Sequence, residues 1–188
     1  MEELRAAVRR DQRAAFVRLK GGFPIPLAGA FYWAALGVAG SYLTNDQWSL
    51  AAFVFSGAIF PLALLFAKIF RNDFMKDRTA TGSVLVPAFV AMLLFWPIAV
   101  AALWEAPQLV PLILAIGMSQ HWPVIGWSYG KPGLYGAHAI IRAVGAFVIW
   151  AWLPDGRFTL VPLWVAAVYL GTVAAILIAA KREAARTA

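Results

Sequence analysis

The chain of 188 residues contains no cysteine and only two histidines. The absence of cysteine excludes disulfide bonds, thiol nucleophiles, iron–sulfur clusters and cysteine-ligated zinc sites. Two histidines with no acidic residue inside any apolar run are also too few ligands for a zinc or two-metal enzyme. No Walker or dinucleotide-binding motif occurs. The sequence does not decide whether the protein is an enzyme, but it favours a protein without catalytic activity.

Long apolar runs dominate what is present. Hydrophobic residues make up 62% of the chain, charged residues 13%, and the mean hydropathy is +0.74. About 20 helical residues cross the roughly 30 Å hydrocarbon layer of a bilayer, and six runs reach that length: residues 24–43, 48–70, 82–104, 107–127, 133–153 and 159–180. The runs lack the alternation of barrel strands. They predict an all-α fold, a bundle of six transmembrane helices that forms a single membrane domain over residues 1–188.

Residues 1–22 are predicted to form an amphipathic helix ahead of the first span. An apolar face opposite most of the cations is formed by Leu4, Val8, Ala15 and Leu19. Glycines and prolines between residues 21 and 26 end this helix. We expect it to lie on the anionic inner leaflet as an orienting segment, and we do not expect it to bind nucleic acid.

The cations are concentrated at one side of the predicted bundle. They lie in residues 1–20, in the second link at Lys68, Arg71, Lys76 and Arg78, in the fourth link at Lys131, and after residue 180. The links on the other side contain only Arg157. Since positively charged flanks remain in the cytoplasm, both termini are predicted to be cytoplasmic.

The candidate site lies in spans four and five, where strongly polar side chains occur well inside the apolar runs. Span four contains Gln120 and His121 next to Pro123, which is expected to kink the helix and free a backbone carbonyl. In span five, Tyr135, His138 and Arg142 follow an i, i+3, i+7 spacing and therefore share one stripe. The two histidines should lie at matched depths on neighbouring antiparallel helices.

Arg142 is the costliest of these residues, because an uncompensated arginine at the bilayer centre costs about 2.5 to 3.5 kcal/mol on insertion scales. No acidic residue lies within any predicted span. The leading hypothesis is a pocket between spans four and five that binds or transports a small anionic or lipid-like ligand. Arg142 would attract the anion, and the histidines and Gln120 would hydrogen-bond the ligand or relay protons. The entrance would be lined by Trp127, Tyr129 and Tyr135.

Three alternatives stay open from the residues. Arg142 can be a structural residue satisfied by backbone carbonyls and aromatic rings. His121 and His138 can ligate haem b, which would make the protein a redox subunit. The chain can also be an accessory subunit of a larger membrane complex, or form a homo-oligomer. Apart from the haem alternative, no cofactor or metal is predicted.

Three sequence stretches carry a resemblance to a known family. They are Gly29 to Trp33, Phe60-Pro61-Leu62 through Lys68, and His121-x-Pro123-x-x-Gly126-Trp127-x-Tyr129. The chain resembles a family of small bacterial multi-pass membrane proteins that is filed as a domain of unknown function. The resemblance implies an uncharacterised bacterial inner-membrane protein and draws attention to His121, Pro123, Trp127 and Tyr129, but it implies no activity.

Overall fold

The computed structural model describes residues 1–77 and 79–186, so Arg78 in the second link lies outside the described residues. Regular secondary structure in the described part of the chain is helical. Its α-helices are α1 (Glu2–Arg18), α2 (Pro24–Ala39), α3 (Asn45–Ser56), α4 (Ile59–Ile69), α5 (Leu85–Leu93), α6 (Trp96–Glu105), α7 (Val110–Gly117), α8 (Trp122–Ser128), α9 (Pro132–Trp152) and α10 (Arg157–Ala185). The predicted all-α fold is confirmed.

Most of these helices belong to segments that are long and apolar enough to cross a membrane. Among the described residues, five such segments are Lys20–Ala39, Ala80–Glu105, Pro107–Ser128, Pro132–Trp152 and Pro154–Ala185. Helices α3 and α4 form a sixth segment with a bend of 51° between them. The six segments correspond to the six predicted spans, with bounds that differ by a few residues.

The bent pair runs back along the whole length of α2. At one end, the indole nitrogen of Trp48 in α3 donates to the carbonyl of Leu36 near the end of α2, over 2.8 Å. At the other end, the ring of Phe70 after α4 packs edge-on against Phe23 before α2, with centroids 5.3 Å apart. The pair therefore makes one complete pass of the bundle.

Proline explains why several passes are broken. Pro61, Pro97 and Pro123 each lie in the first turn of the second half of a broken pass, in α4, α6 and α8. A proline there loses no hydrogen bond within its own helix, but it cannot donate to a preceding turn that would continue the helix. In span four, residues 118–121 form a turn that interrupts the helix just before Pro123, as expected, but the Ser119 carbonyl that the proline was expected to free accepts a hydrogen bond from the Trp122 N–H over 3.1 Å.

The charged ends of several helices meet at one end of the bundle. Arg13 of α1 forms an ion pair with Glu183 of α10. Lys131, between α8 and α9, lies 2.9 Å from the other oxygen of the Glu183 carboxylate. Arg18 pairs with Asp77 in the link after α4, over 2.5 Å. The two ends of the chain therefore lie at the same end of the bundle, the end where the sequence concentrates its cations.

Helix α1 packs on this end through its second half only. Gln12, Ala15 and Phe16 are buried, and the Gln12 amide donates to the carbonyl of Trp127 over 2.7 Å. Leu4, in contrast, is 63% exposed. The predicted apolar face is therefore split: residues from Asp11 onward contact the rest of the protein, where the Thr81 hydroxyl donates to the Asp11 carboxylate over 3.3 Å, and the first two turns are largely exposed.

Two glycines turn the chain from α1 into the first pass. Gly21 and Gly22 have φ angles of 57° and 65°, a left-handed conformation that glycine adopts without steric cost. The Tyr135 hydroxyl donates to the Gly21 carbonyl over 2.6 Å. A Cβ on Gly21 would lie 2.6 Å from that hydroxyl oxygen, so the turn needs glycine for space as well as for conformation.

The outer surface of the bundle is apolar. On α5 and α6, the exposed side chains include those of Val86, Val90, Leu94 and Ile98. Trp104 and Trp152 are exposed near the end of the bundle opposite α1, where aromatic side chains commonly lie at the membrane boundary. Such a surface is stable in lipid rather than in water.

Candidate functional site

A cavity of about 980 Å³ lies between α2, α4, α5 and α8. Its volume is at the upper end of the roughly 300–1,000 Å³ that ligand pockets occupy. Most of its wall is apolar and includes Ile25, Ala63, Leu85, Phe89 and Met92. It is a space for an apolar or amphipathic molecule.

The cavity opens sideways between α4 and α5. Phe60 of α4 and Leu93 of α5 line it and are 53% and 50% exposed, so they form its two outer edges. This side of the bundle faces the acyl chains when the segments span a membrane.

One end of the cavity is polar and lies beside α1. Asp77, Thr79 and Ser83 line this end. Asp77 is held by Arg18 and accepts a hydrogen bond from the Thr79 hydroxyl over 2.7 Å. Tyr129 also lines the wall, and burial, together with the nearby Asp77 carboxylate, raises the pKa of its phenol, which is therefore neutral. The cavity has an apolar body and a hydrogen-bonding end.

The sequence-predicted site residues divide into three groups. His121 and Tyr129, both 8% exposed, line the cavity. Gln120 and Trp127 are exposed on the outside of the bundle and do not reach it. The third group, Tyr135, His138 and Arg142, is buried in the core behind the cavity wall.

The cavity therefore does not lie between spans four and five, where the sequence predicted a pocket. The space between spans four and five is filled, because the Trp122 indole stacks on Tyr135 with centroids 5.8 Å apart and contacts His138 at 4.5 Å. The cavity lies instead between spans two, three and four. The Phe89 ring of span three contacts His121 at 4.9 Å and forms the wall on that side.

Arg142 is completely buried at the centre of an aromatic cluster. One terminal nitrogen donates to the Tyr169 hydroxyl over 2.7 Å, and the other reaches the Leu114 carbonyl at 3.4 Å. The guanidinium carbon lies 5.1 Å from the ring centroids of both Trp33 and Tyr169. Backbone and aromatic groups, two of the partner types expected from the sequence, thus surround the charge.

His138 has a defined proton arrangement. The Thr172 hydroxyl donates to the Val168 carbonyl over 2.8 Å, so its oxygen accepts from His138 Nδ1, also 2.8 Å away. With the hydroxyl donating to that carbonyl, the tautomer that completes the bond is the one protonated on Nδ1. The imidazole joins α9 to α10.

Several buried polar atoms in this region lack a hydrogen-bond partner among the described residues. They are Trp33 Nε1, His121 Nδ1, Trp122 Nε1, His138 Nε2 and Arg142 Nε. Native proteins leave few such groups unpaired, because each one costs free energy that water or a ligand can recover. Their concentration beside the cavity distinguishes this region from an ordinary apolar core.

The position of the Trp122 ring bears on the haem alternative. The Trp122 ring lies close to both imidazoles, with centroids 5.5 Å from His121 and 4.5 Å from His138. A haem with these two axial ligands needs its macrocycle between the rings, so Trp122 would have to move. Haem ligation stays a prediction, which the absorbance spectrum of the purified protein tests.

Sequence reasoning missed Tyr169, Thr172 and Trp33. Tyr169 and Thr172 have the i, i+3 spacing that marks one stripe of a helix, the same signal that identified the stripe in span five. The sequence of span six therefore contained the signal that was used in span five. For Trp33 no comparable signal exists, since its ring lies over Arg142 only because α2 packs against α10 beside α9.

The helical passes, their apolar outer surface and the lateral cavity define an all-α membrane protein of several passes. Within that class, the chain belongs to the Family of unknown function (DUF7010), whose model matches residues 7–179. The resemblance to a family of unknown function is thereby confirmed over nearly the whole chain. No curated protein and no solved structure matches it.

Proposed function

We propose that this protein binds a lipid-like amphiphile in the cavity between α4, α5 and α8, and that the amphiphile enters from the bilayer. The observation that carries the proposal is the cavity itself, with an apolar wall, a polar end and an opening between exposed apolar helices. A water-soluble metabolite would need a polar route to this space. An acyl chain fits the apolar wall and the lateral opening.

The polar groups of the cavity supply the selectivity. Moving an acyl chain from the bilayer into an apolar cavity changes its surroundings little, so the chain itself contributes little net affinity. Discrimination between amphiphiles therefore depends on hydrogen bonds from polar groups of the wall, such as His121 and Tyr169, to the head group.

The positions of the charged residues indicate how the protein is oriented in its membrane. We infer that it lies in the cytoplasmic membrane of a bacterium with both termini in the cytoplasm. Support comes from the cationic end formed by α1, Lys131 and the last turns of α10, because such an end is retained on the cytoplasmic side. The polar end of the cavity would then lie at the cytoplasmic leaflet.

Native mass spectrometry of the protein released from a mild non-ionic detergent tests the binding proposal. Met92 lines the cavity, so Met92→Trp should fill part of it. Val90, on the same helix, is 56% exposed and does not line the cavity, so Val90→Trp is the matched control. We expect amphiphile adducts on the wild type and on Val90→Trp, and their loss from Met92→Trp.

Two outcomes would contradict the proposal. One is a wild-type protein that carries no adduct and gains none when membrane lipids are added. The other is equal retention by Met92→Trp and Val90→Trp, which would place the bound molecule on the outer surface. A thermal unfolding scan of both variants shows that each is folded before the comparison is made.

A further inference from the structure

We propose that the amphiphile carries an acidic group, and that this group binds the Arg142 guanidinium in the place that the Tyr169 hydroxyl occupies in this structure. This inference rests on the proposed function and names the chemical class of the ligand: a single-chain amphiphile with a carboxylate or phosphate head group.

The first argument is the charge of Arg142. The side chain is fully buried, and the nine acidic residues of the chain lie outside the predicted spans. A guanidinium has five N–H donors. Among the described residues, the Arg142 donors reach the Tyr169 hydroxyl at 2.7 Å and the Leu114 carbonyl at a marginal 3.4 Å, while Nε has no acceptor. Buried charges are normally paired, so this arrangement lacks an anion.

The second argument is that Tyr169 both contacts Arg142 and lines the cavity. Its ring belongs to the cavity wall, and its hydroxyl accepts the best-formed hydrogen bond of Arg142. Behind the ring lies Gly29, where a Cβ would come within 2.8 Å of Tyr169 Cζ. Because the ring borders the cavity, a turn of the side chain into that space would remove it from between Arg142 and the cavity. The guanidinium would then face the cavity directly.

The third argument concerns the wall beside Tyr169. Its ring contacts Trp122 at 5.7 Å and His138 at 4.7 Å between centroids. The Nε1 atom of Trp122 is a buried donor without an acceptor. Two kinds of unpaired donor, an indole N–H and a guanidinium N–H, thus lie beside the same ring. Acceptor-only groups such as carboxylate and phosphate match such donors, and charge-assisted bonds are strong where water is excluded.

Three ligands with the same acyl chain provide the test: oleate, oleyl phosphate and oleyl alcohol. Their dissociation constants are measured on the purified protein in a non-ionic detergent. We expect at least one anionic ligand to bind about tenfold more tightly than the alcohol, since an anion attracts the Arg142 guanidinium more strongly than a neutral hydroxyl does. The tighter of the two anions identifies the head group as carboxylate or phosphate.

Variants then assign the preference to Arg142. Arg142→Met keeps an unbranched apolar stem and removes the charge, and replacing a buried ion in this way is often tolerated. We expect the three ligands to bind this variant within about twofold of one another, because the charge that distinguishes the anions from the alcohol is gone. Tyr169→Phe should retain the preference for the anion, because its missing hydroxyl is the group that the ligand replaces.

Arg18→Gln is a second variant that keeps the inference testable if Arg142→Met does not fold. Arg18 is the cation paired with Asp77 at the polar end of the cavity, and it is the main rival for an anionic head group. We expect its substitution to leave the preference intact. A preference lost in Arg18→Gln, or retained in a folded Arg142→Met, would overturn the inference.

Binding measurements on the wild type alone distinguish the inference of an acidic head group from the proposal of an amphiphile cavity. Equal binding of oleate, oleyl phosphate and oleyl alcohol would refute the acidic head group and leave the amphiphile cavity standing. Failure of all three ligands to bind would count against both proposals.

Discussion

The ring of Tyr169 lies directly on Gly29, so that a Cβ at position 29 would come within 2.8 Å of Tyr169 Cζ and 2.9 Å of Cε1. The contact joins α10 to α2 and fixes the ring between Arg142 and the cavity. If residue 29 had a side chain, Tyr169 could not keep its observed position.

Gly29→Ala should therefore destabilise the protein. We expect a loss of about 1–3 kcal/mol in unfolding free energy, the usual cost of adding a methyl group to a filled core. Gly171→Ala is the control, because Gly171 lies in the same helix as Tyr169 and its Cβ would meet nothing within 4 Å. That change should stay within about 1 kcal/mol of the wild type. Thermal unfolding in detergent measures both, and equal effects would show that Tyr169 does not depend on Gly29.

Thr172→Val should leave the Nδ1–H of His138 without an acceptor. Both residues are buried, so we expect a destabilisation of about 1–3 kcal/mol from the unpaired donor. Thr172→Ser restores the hydroxyl and should recover most of the loss. Thermal unfolding of the two variants measures the difference. If valine proves no worse than serine, the hydrogen bond between α9 and α10 contributes nothing.

Glu183→Gln should loosen α1 from the bundle, because the Glu183 carboxylate pairs with both Arg13 and Lys131. Partly exposed ion pairs contribute only about 1 kcal/mol or less, so global stability should change little. Local opening should increase, and trypsin should cleave within residues 5–20 faster than in the wild type. Glu3→Gln, in the exposed first turn of α1, is the control. Unchanged cleavage of the Glu183 variant would mean that other contacts hold α1.

The chain has no cysteine, so single cysteines report its topology without background. Ala14 is exposed on α1, and Glu105 is exposed at the opposite end of the bundle. We expect a membrane-impermeant maleimide to label Ala14→Cys in inside-out vesicles and Glu105→Cys in intact cells. The reverse pattern would invert the orientation. Labelling of Ala14→Cys and of Arg182→Cys from opposite sides would show that α3 and α4 do not complete a pass.

The sequence alone was sufficient to predict the passes. Length and apolar content identify each crossing segment, because the bilayer requires about 20 apolar residues whatever their order. The break at Pro123 was also predictable, since a missing backbone donor acts locally. The charge pattern correctly indicated the end of the bundle where α1, Lys131 and the last turns of α10 meet.

The arrangement of the helices around each other could not be predicted in the same way. Every pass has apolar residues on all sides, so no face identifies its neighbour. The predicted pocket between spans four and five is filled because Trp122 lies between Tyr135 and His138. The groups that surround Arg142 come from α2 and α10, far away in sequence. Similarly, the helical periodicity of α1 could not show that only the half from Asp11 onward contacts the bundle.

A density map of the protein in a lipid nanodisc tests the central claim most directly. We predict elongated density between α4 and α5, against Ala63, Phe89 and Met92, with its polar end at a hydrogen-bonding group of the cavity wall. A map in which α4 and α5 close on each other and Phe89 packs against Ala63, with no density between them, would contradict the account.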